Sequence, residues 1–134
     1  MTESPLFFDM PSKLYTPEEA SGLIPEITRL VKKLQAHQSN VQELMGQVEF
    51  PVPPPIYNVG SRVGSHMAVE FIAIETIIDK IQSHGGKIKD IDQGLVDFPG
   101  IVDGREVWLC WQMGESAITH FHDFGKGFSD RKEI

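Results

Sequence analysis

Apolar residues recur at alternating intervals of three and four along the first third of the chain. The seam consists of Leu23, Ile27, Leu30, Leu34, Val41, Leu44 and Val48, with His37 at a seam position where leucine would be expected. This spacing is typical of an amphipathic helix with one buried stripe. Thr16 is a good N-cap, Pro17 suits the first helical position, and Glu19 completes a capping box with Thr16. The pattern therefore predicts one long helix that begins after Thr16 and is kinked at Pro25.

A second helical stripe follows the proline-rich segment 51–55, which ends the first helix because proline cannot continue it. The stripe consists of Met67, Phe71, Ile74, Ile78 and Ile81. The predicted helix begins near Ser61 or Ser65 and ends at Ser83, just before a pair of glycines. Two helices joined through a proline turn predict a long antiparallel hairpin over residues 16–84.

The last third of the chain changes to short runs rich in β-branched and aromatic residues. Asp103-Gly104 is a strong tight-turn dipeptide, and Gly114-Glu115 is a reasonable one with glycine first. The strands predicted on either side of these turns lie at 94–98, 105–113 and 117–123. They form a three-stranded antiparallel β-meander.

The predicted fold class is therefore α+β, and 134 residues suit a single domain. Residues 1–14 form an N-terminal arm, the hairpin follows, and residues 88–134 form the small sheet and a C-terminal tail. The helical seam is longer than three short strands can cover. We therefore expect a homodimer in which the helices pair across subunits as a coiled coil.

Charge and composition restrict the possible binding partners of the protein and its cellular compartment. A net charge of −7 argues against nucleic acid or an anionic membrane, since both need a basic face. No apolar run is long enough for a membrane span, and the N-terminus does not resemble a signal peptide. The single cysteine, Cys110, cannot form an intrachain disulfide, which favours a reducing compartment. These features predict a cytoplasmic protein.

His120 and His122 are the most conspicuous chemical feature of the predicted sheet. If Gly114-Glu115 forms a two-residue turn, His120 lies opposite Leu109 and His122 lies opposite Val107. Both histidines then share the face that we expect to look toward the helices. Two imidazoles on one face of a strand are a common start for a metal site.

Further ligands for a divalent metal ion would have to come from another element. His66 and Glu70 are spaced i, i+4 on the second helix and can supply them. The metal-ligand candidates are His122, His120, Glu70 and His66. Glu115 or Asp123 would then act as a base on metal-bound water, as in a hydrolase. The alternative is that these histidines are half-buried packing groups that donate to backbone carbonyls.

Two other features of the C-terminal third allow different chemistry. Arg105 and Arg131 would bind a small anionic molecule if their guanidinium groups converged, and Trp111 is a candidate for the wall of that cavity. Cys110 lies on the strand face opposite Leu109 and has no neighbouring basic group to activate a thiolate. A packed, inert cysteine is therefore the favoured interpretation.

Two stretches, "YTPEEASGLIPEI" and "GLVDFPGIVDGREVWLCWQMGESAITHFHDFGKGFSDR", resemble a bacterial family, the domain-of-unknown-function family 2203. The family pattern matches Asp97, Pro99, Arg105, Glu106, Cys110, Trp111, Gly114, Glu115, His122, Asp123, Gly127, Phe128 and Arg131. His120 falls at a position where members are expected to vary. The resemblance therefore favours His122 with a carboxylate over a two-histidine site.

The family has no known activity, so the resemblance supports the architecture and leaves function open. The leading hypothesis is a homo-oligomeric helical hairpin whose C-terminal sheet carries a polar and aromatic binding surface, with no reaction assigned. The alternatives are a metal-dependent enzyme that uses His122 and His120, and an anion-binding protein that uses Arg105 and Arg131.

Overall fold

The chain folds as an α+β structure in which helices precede a five-stranded antiparallel sheet. The computed structural model describes residues 13–47 and 62–134. The helices are α1 (Pro17–Ser21), α2 (Ile24–Met45) and α3 (Arg62–Ser83). Most of the predicted N-terminal arm, the last seam position Val48 and the proline-rich linker lie outside the described residues.

The predicted start of the first helix is confirmed, but its continuity is not. The Thr16 hydroxyl accepts from the backbone N–H of Glu19 at 3.1 Å, and the Glu19 carboxylate accepts from the Thr16 N–H at 2.9 Å. The helix then ends at Ser21 and a new one begins at Ile24. Pro25 explains the break, since its ring clashes with the carbonyl of the residue four positions earlier, which is Ser21.

The second predicted helix is present as α3 and ends at Ser83, where it was expected to end. Gly85 follows in a left-handed conformation with φ of 88°. The helices α2 and α3 pack against each other, and the side chains of His37 and Glu70 meet across the contact at 2.5 Å. His37, which replaces an expected leucine of the seam, thus joins the two helices through a polar contact.

The sheet contains five strands, where the sequence pattern predicted three. The strands are β1 (Lys87–Asp90), β2 (Leu95–Val102), β3 (Arg105–Gln112), β4 (His120–His122) and β5 (Lys132–Glu133). Each pairs antiparallel with the next, in chain order. The three predicted strands correspond to β2, β3 and β4. The two edge strands escaped prediction because β1 is mostly charged and β5 has only two residues.

The hydrophobic core lies between the helices and one face of the sheet, which we name the core face. Among its members from the sheet, Phe98, Leu109 and Trp111 are fully buried. They pack with the buried stripe of α2 and with Ile77 and Ile81 of α3. In the part of the chain that the structure describes, no helix is both long enough and apolar enough to cross a membrane.

Candidate metal centre

The register between β3 and β4 decides where the two histidines lie. Cys110 pairs with His120, Leu109 with Phe121, and Trp108 with His122. The predicted pairing of Leu109 with His120 is therefore wrong by one residue. β4 begins only at His120, so the connection from β3 is longer than the two-residue turn that was assumed.

A register change of one residue moves a whole strand's side chains to the other face of the sheet. Phe121 therefore joins the core, while His120 and His122 lie on the opposite side, which we name the outer face. Asp97 and Cys110, which pair directly with each other across β2 and β3, lie on the same face. The prediction that the histidines look toward the helices is wrong. They do share one face, as strand alternation required.

Asp97, Cys110 and His122 meet on the outer face, and we name them the buried triad. The Nε2 atom of His122 lies 3.0 Å from Oδ2 of Asp97. The thiol of Cys110 also lies within 4.8 Å of the carboxylate of Asp97. One potential ligand atom from each residue lies within 4.8 Å of the other two. The residues are only 1–2% exposed, so a carboxyl group, an imidazole and a thiol are held together almost without water.

Burial has a clear effect on the two acidic members of the buried triad. Loss of solvation raises the pKa of Asp97, although the neighbouring His122 opposes this shift. Loss of solvation, reinforced by the nearby Asp97 carboxylate, raises the pKa of Cys110 to about 12. The thiol is therefore protonated at neutral pH. This is the opposite of what a nucleophilic cysteine needs.

The second ring nitrogen of His122 is also engaged. Nδ1 lies 3.2 Å from the backbone carbonyl oxygen of Asp123. A carbonyl oxygen can only accept, so Nδ1 carries the proton of this bond. Nε2 is thereby left as the nitrogen that faces Asp97 and Cys110. Metal-binding histidines use the same arrangement, with one ring N–H held by a backbone carbonyl and the other nitrogen presented to the ion.

The segment after β4 packs on the outer face and contributes to its burial. Arg131 donates to the backbone carbonyl of Cys110 at 3.2 Å and to the Glu115 carboxylate at 3.0 and 3.1 Å. The ring of Phe124 lies against Trp108, with centroids 5.4 Å apart. These contacts place side chains of the C-terminal segment beside Trp108 and the backbone of Cys110 on β3.

His120 lies beside the triad without joining it. It is half-buried, and its Nδ1 atom lies 2.8 Å from the hydroxyl of Thr119. It also lines an open cavity of about 530 Å³ together with Glu18 and Glu133. Of the two predicted histidine ligands, the structure therefore brings only His122 to a cluster of potential ligands.

The other two predicted metal ligands, Glu70 and His66, lie on α3 and do not approach the sheet histidines. Glu70 contacts His37 and accepts from Asn40 at 3.1 Å. It lines a separate cavity with His66 at the α2–α3 contact. Within the described residues, the only cluster with metal-ligand spacing is the buried triad.

The two residues predicted as bases, Asp123 and Glu115, form ion pairs with basic side chains. Asp123 accepts from Arg105 at 3.1 Å and lies 3.6 Å from Lys132. Glu115 pairs with Arg131 and also accepts from the backbone N–H of Gln112 at 2.7 Å. Neither carboxylate lies in the triad.

The predicted anion site is likewise not assembled. Arg105 and Arg131 have different acidic partners, and they lie near opposite ends of β3. Trp111 is fully buried in the core, where its indole N–H donates to the carbonyl of Glu115 at 2.9 Å. It is therefore not exposed to a ligand in this conformation.

Asp97 is the functional candidate that sequence reasoning assigned to no site. Its signal was present, since it is the one charged residue in the otherwise apolar run of β2. A charge in a strand that is buried on both faces must find a partner or a ligand. That partner, His122, is 25 residues away along the chain, and only the sheet brings the two together.

The model of a protein family matches residues 13–134, which is nearly the whole chain. The family is described as "Uncharacterized conserved protein (DUF2203)". No curated protein and no solved structure matches the chain.

Proposed function

The chain belongs to the DUF2203 family, and we propose that it binds a divalent transition-metal ion of the zinc type through Asp97, Cys110 and His122. The observation that carries the proposal is the meeting of three buried ligand groups within 4.8 Å. A mixed sulfur, nitrogen and oxygen set is characteristic of zinc and its neighbours. Magnesium and calcium prefer oxygen ligands alone.

Burying these three groups without a metal ion costs free energy, and this cost supports the proposal. Burial disfavours the charged forms of Asp97 and Cys110, as the raised pKa values show. A bound dication reverses that preference, because it stabilises the carboxylate and displaces the thiol proton. The free energy stored in these groups is then recovered on binding. The imidazole of His122 is already oriented for coordination by the bond from Nδ1 to Asp123.

Nucleophilic thiol chemistry is the other function that a cysteine, a histidine and an aspartate suggest. It requires a thiol next to a base, with the acid orienting the base. Here Asp97 contacts both Cys110 and His122, and it raises the pKa of the thiol to about 12 together with burial. The geometry therefore favours coordination over nucleophilic attack.

The proposal assigns a site and no reaction. Three protein ligands leave one position of a tetrahedral ion open, which is the pattern of catalytic zinc sites. A metal-dependent, hydrolase-like activity is compatible with this count. The cytoplasmic setting expected from the single cysteine also suits the site, because only a reduced thiol can become a ligand.

Metal content and metal titration test the proposal. Protein purified without added metal and then dialysed against zinc should retain one ion per chain. Cobalt should bind at the same ratio and show a thiolate-to-metal charge-transfer band. Cys110→Ser should lose that band and most of the affinity, whereas the control His66→Ala should keep both. Binding of zinc, cobalt and nickel well below one ion per chain would overturn the proposal.

A second candidate, self-association, rests on α3. Buried side chains of α2 end at Leu34, and those of α3 begin only at Ile77. Among the described residues, the half of the helix pair distant from the sheet therefore contains no buried apolar side chain. On α3 this half exposes Val69 at 65%, Ile72 at 63% and Phe71 at 48%.

We propose that a second copy of the chain covers this surface of α3 and forms a homodimer. Ser65, Val69, Ile72 and Thr76 form an uncharged stripe along the helix at spacings of three and four. The whole chain carries a net charge of −7, so two copies repel unless a neutral surface lets them approach. Antiparallel pairing of such stripes yields a four-helix arrangement.

Sedimentation equilibrium tests the dimer. Wild-type protein should sediment at twice the chain mass, and Ile72→Asp should sediment as a monomer. The matched control Gln82→Asp, an exposed position on the same helix, should remain dimeric. A monomeric wild type at high micromolar concentration would contradict this proposal without affecting the metal site.

A further inference from the structure

His120 stands in line with two members of the buried triad. Asp97 pairs with Cys110, and Cys110 pairs with His120, so the three residues form one row across β2, β3 and β4. Directly paired residues have Cβ atoms about 4.5–5.5 Å apart. The side chain of His120 thus starts one strand away from the thiol of Cys110, on the side opposite Asp97.

One ring nitrogen of His120 is available for binding. Nδ1 is engaged by the Thr119 hydroxyl at 2.8 Å, whereas Nε2 has no hydrogen-bond partner within the described part of the chain. The bond to Thr119 is exposed, so water can replace it when the side chain rotates. One ring nitrogen is therefore available to coordinate a metal ion, and the side chain can change its rotamer across a low barrier.

From these observations we propose that the Nε2 atom of His120 is the fourth ligand of the metal ion, which His120 reaches by a change of side-chain rotamer. This inference rests on the proposed metal site at Asp97, Cys110 and His122. With His120 turned inward, the ion has a closed tetrahedral set of two nitrogens, one sulfur and one oxygen. With His120 turned toward the cavity that it shares with Glu18 and Glu133, the fourth position is open to water.

The consequence is a metal site whose fourth ligand can be exchanged. His120 lines the open cavity and pairs with Cys110 of the buried triad, so in this proposal its rotation controls whether a small molecule in the cavity can reach the ion. The three fully buried ligands hold the metal in both states, because none of them depends on the position of His120.

Cobalt titration of the full chain tests the role of His120. His120→Ala should still bind one cobalt per chain through Cys110, with an affinity lowered at least tenfold and an altered ligand-field spectrum. Added imidazole should restore the wild-type spectrum in this variant, since it fills the vacated position. His66→Ala, which removes an exposed imidazole far from the triad, should match the wild type.

A second variant supplies a positive signal that does not depend on a loss. His120→Cys places a second thiolate at the fourth position, so the charge-transfer intensity per cobalt should rise about twofold. An unchanged affinity and spectrum in His120→Ala, together with no extra intensity in His120→Cys, would overturn the inference. If Cys110→Ser still abolishes cobalt binding in that case, the proposed function stands. If the wild type binds no cobalt, both proposals fail.

Discussion

The centre of the sheet is buried on both faces, but by different chemistry. The core face presents Phe98, Leu109 and Trp111 to the helices, and each is fully buried among apolar side chains. The outer face buries Asp97 and His122 as deeply. Burial of apolar surface drives folding, whereas burial of a carboxylate costs free energy. We therefore assign the maintenance of the fold to the core face and place the proposed metal site on the outer face.

The largest expected effect comes from the core face. Phe98→Ala should lower the free energy of unfolding by about 3–5 kcal/mol, because it leaves a cavity among fully buried neighbours. Urea denaturation measures this loss. The distinction between the two faces would fail if the loss were below that of the outer-face variants.

His122→Ala is the largest expected effect on the outer face. It leaves the Asp97 carboxylate buried without its imidazole, which should cost about 3 kcal/mol in the metal-free protein. The same change in an Asp97→Asn background should cost at least about 1 kcal/mol less, because no buried carboxylate is left without a partner. A double-mutant cycle by urea denaturation measures this coupling. Strict additivity would show that the two side chains do not interact.

The pH dependence of metal affinity should follow the thiol proton. Cys110 has a pKa of about 12 in the metal-free protein, so binding must release its proton throughout the neutral range. The affinity for zinc should therefore rise about tenfold per pH unit between about pH 6 and about pH 8. Below the raised pKa of Asp97, a second proton is released and the slope becomes steeper. Competition with a chelator measures the slope, and an affinity independent of pH would refute thiolate coordination.

Asp97→Asn should have the smallest effect on folding. Because the folded-state pKa of Asp97 is raised, the folded protein holds this proton more tightly than the unfolded chain does. Stability is therefore lost as pH rises through the folded-state pKa, and the variant avoids that loss. At neutral pH the metal-free variant should lie within about 1 kcal/mol of the wild type or above it.

The same variant should show at least a tenfold weaker affinity for zinc, since it lacks one ligand. Thermal denaturation with and without zinc separates the two effects. A strongly destabilised variant that binds zinc normally would instead assign Asp97 to the fold.

The local parts of the fold were predictable from the sequence. The capping box of Thr16 and Glu19 and the end of α3 at Ser83 depend on neighbours within a few residues, and both are confirmed. The break before Ile24 was predicted only as a kink, although Pro25 marked its position. The edge strands β1 and β5 exist because neighbouring strands pair with them, not because of their own weak strand pattern.

The candidate site was only half predictable, because the register between β3 and β4 was not. His122 was identified, and Cys110 was placed on the strand face opposite Leu109. Asp97 was named only as a position of the family pattern. One residue of error in the β3–β4 pairing then sent the histidines to the wrong face. The pairing depends on the length of the connection after Gln112, which no local pattern determines.

The sequence by itself thus determined which residues share a face of one strand, because side chains alternate along an extended backbone. That rule placed His120 with His122 and separated Cys110 from Leu109. Only the tertiary structure decided which face meets the helices and which residues lie across from one another. Those outcomes depend on hydrogen bonds between strands distant in the chain, and they bring Asp97 to His122 across 25 residues. A set of separate polar residues becomes a candidate metal centre only through that pairing.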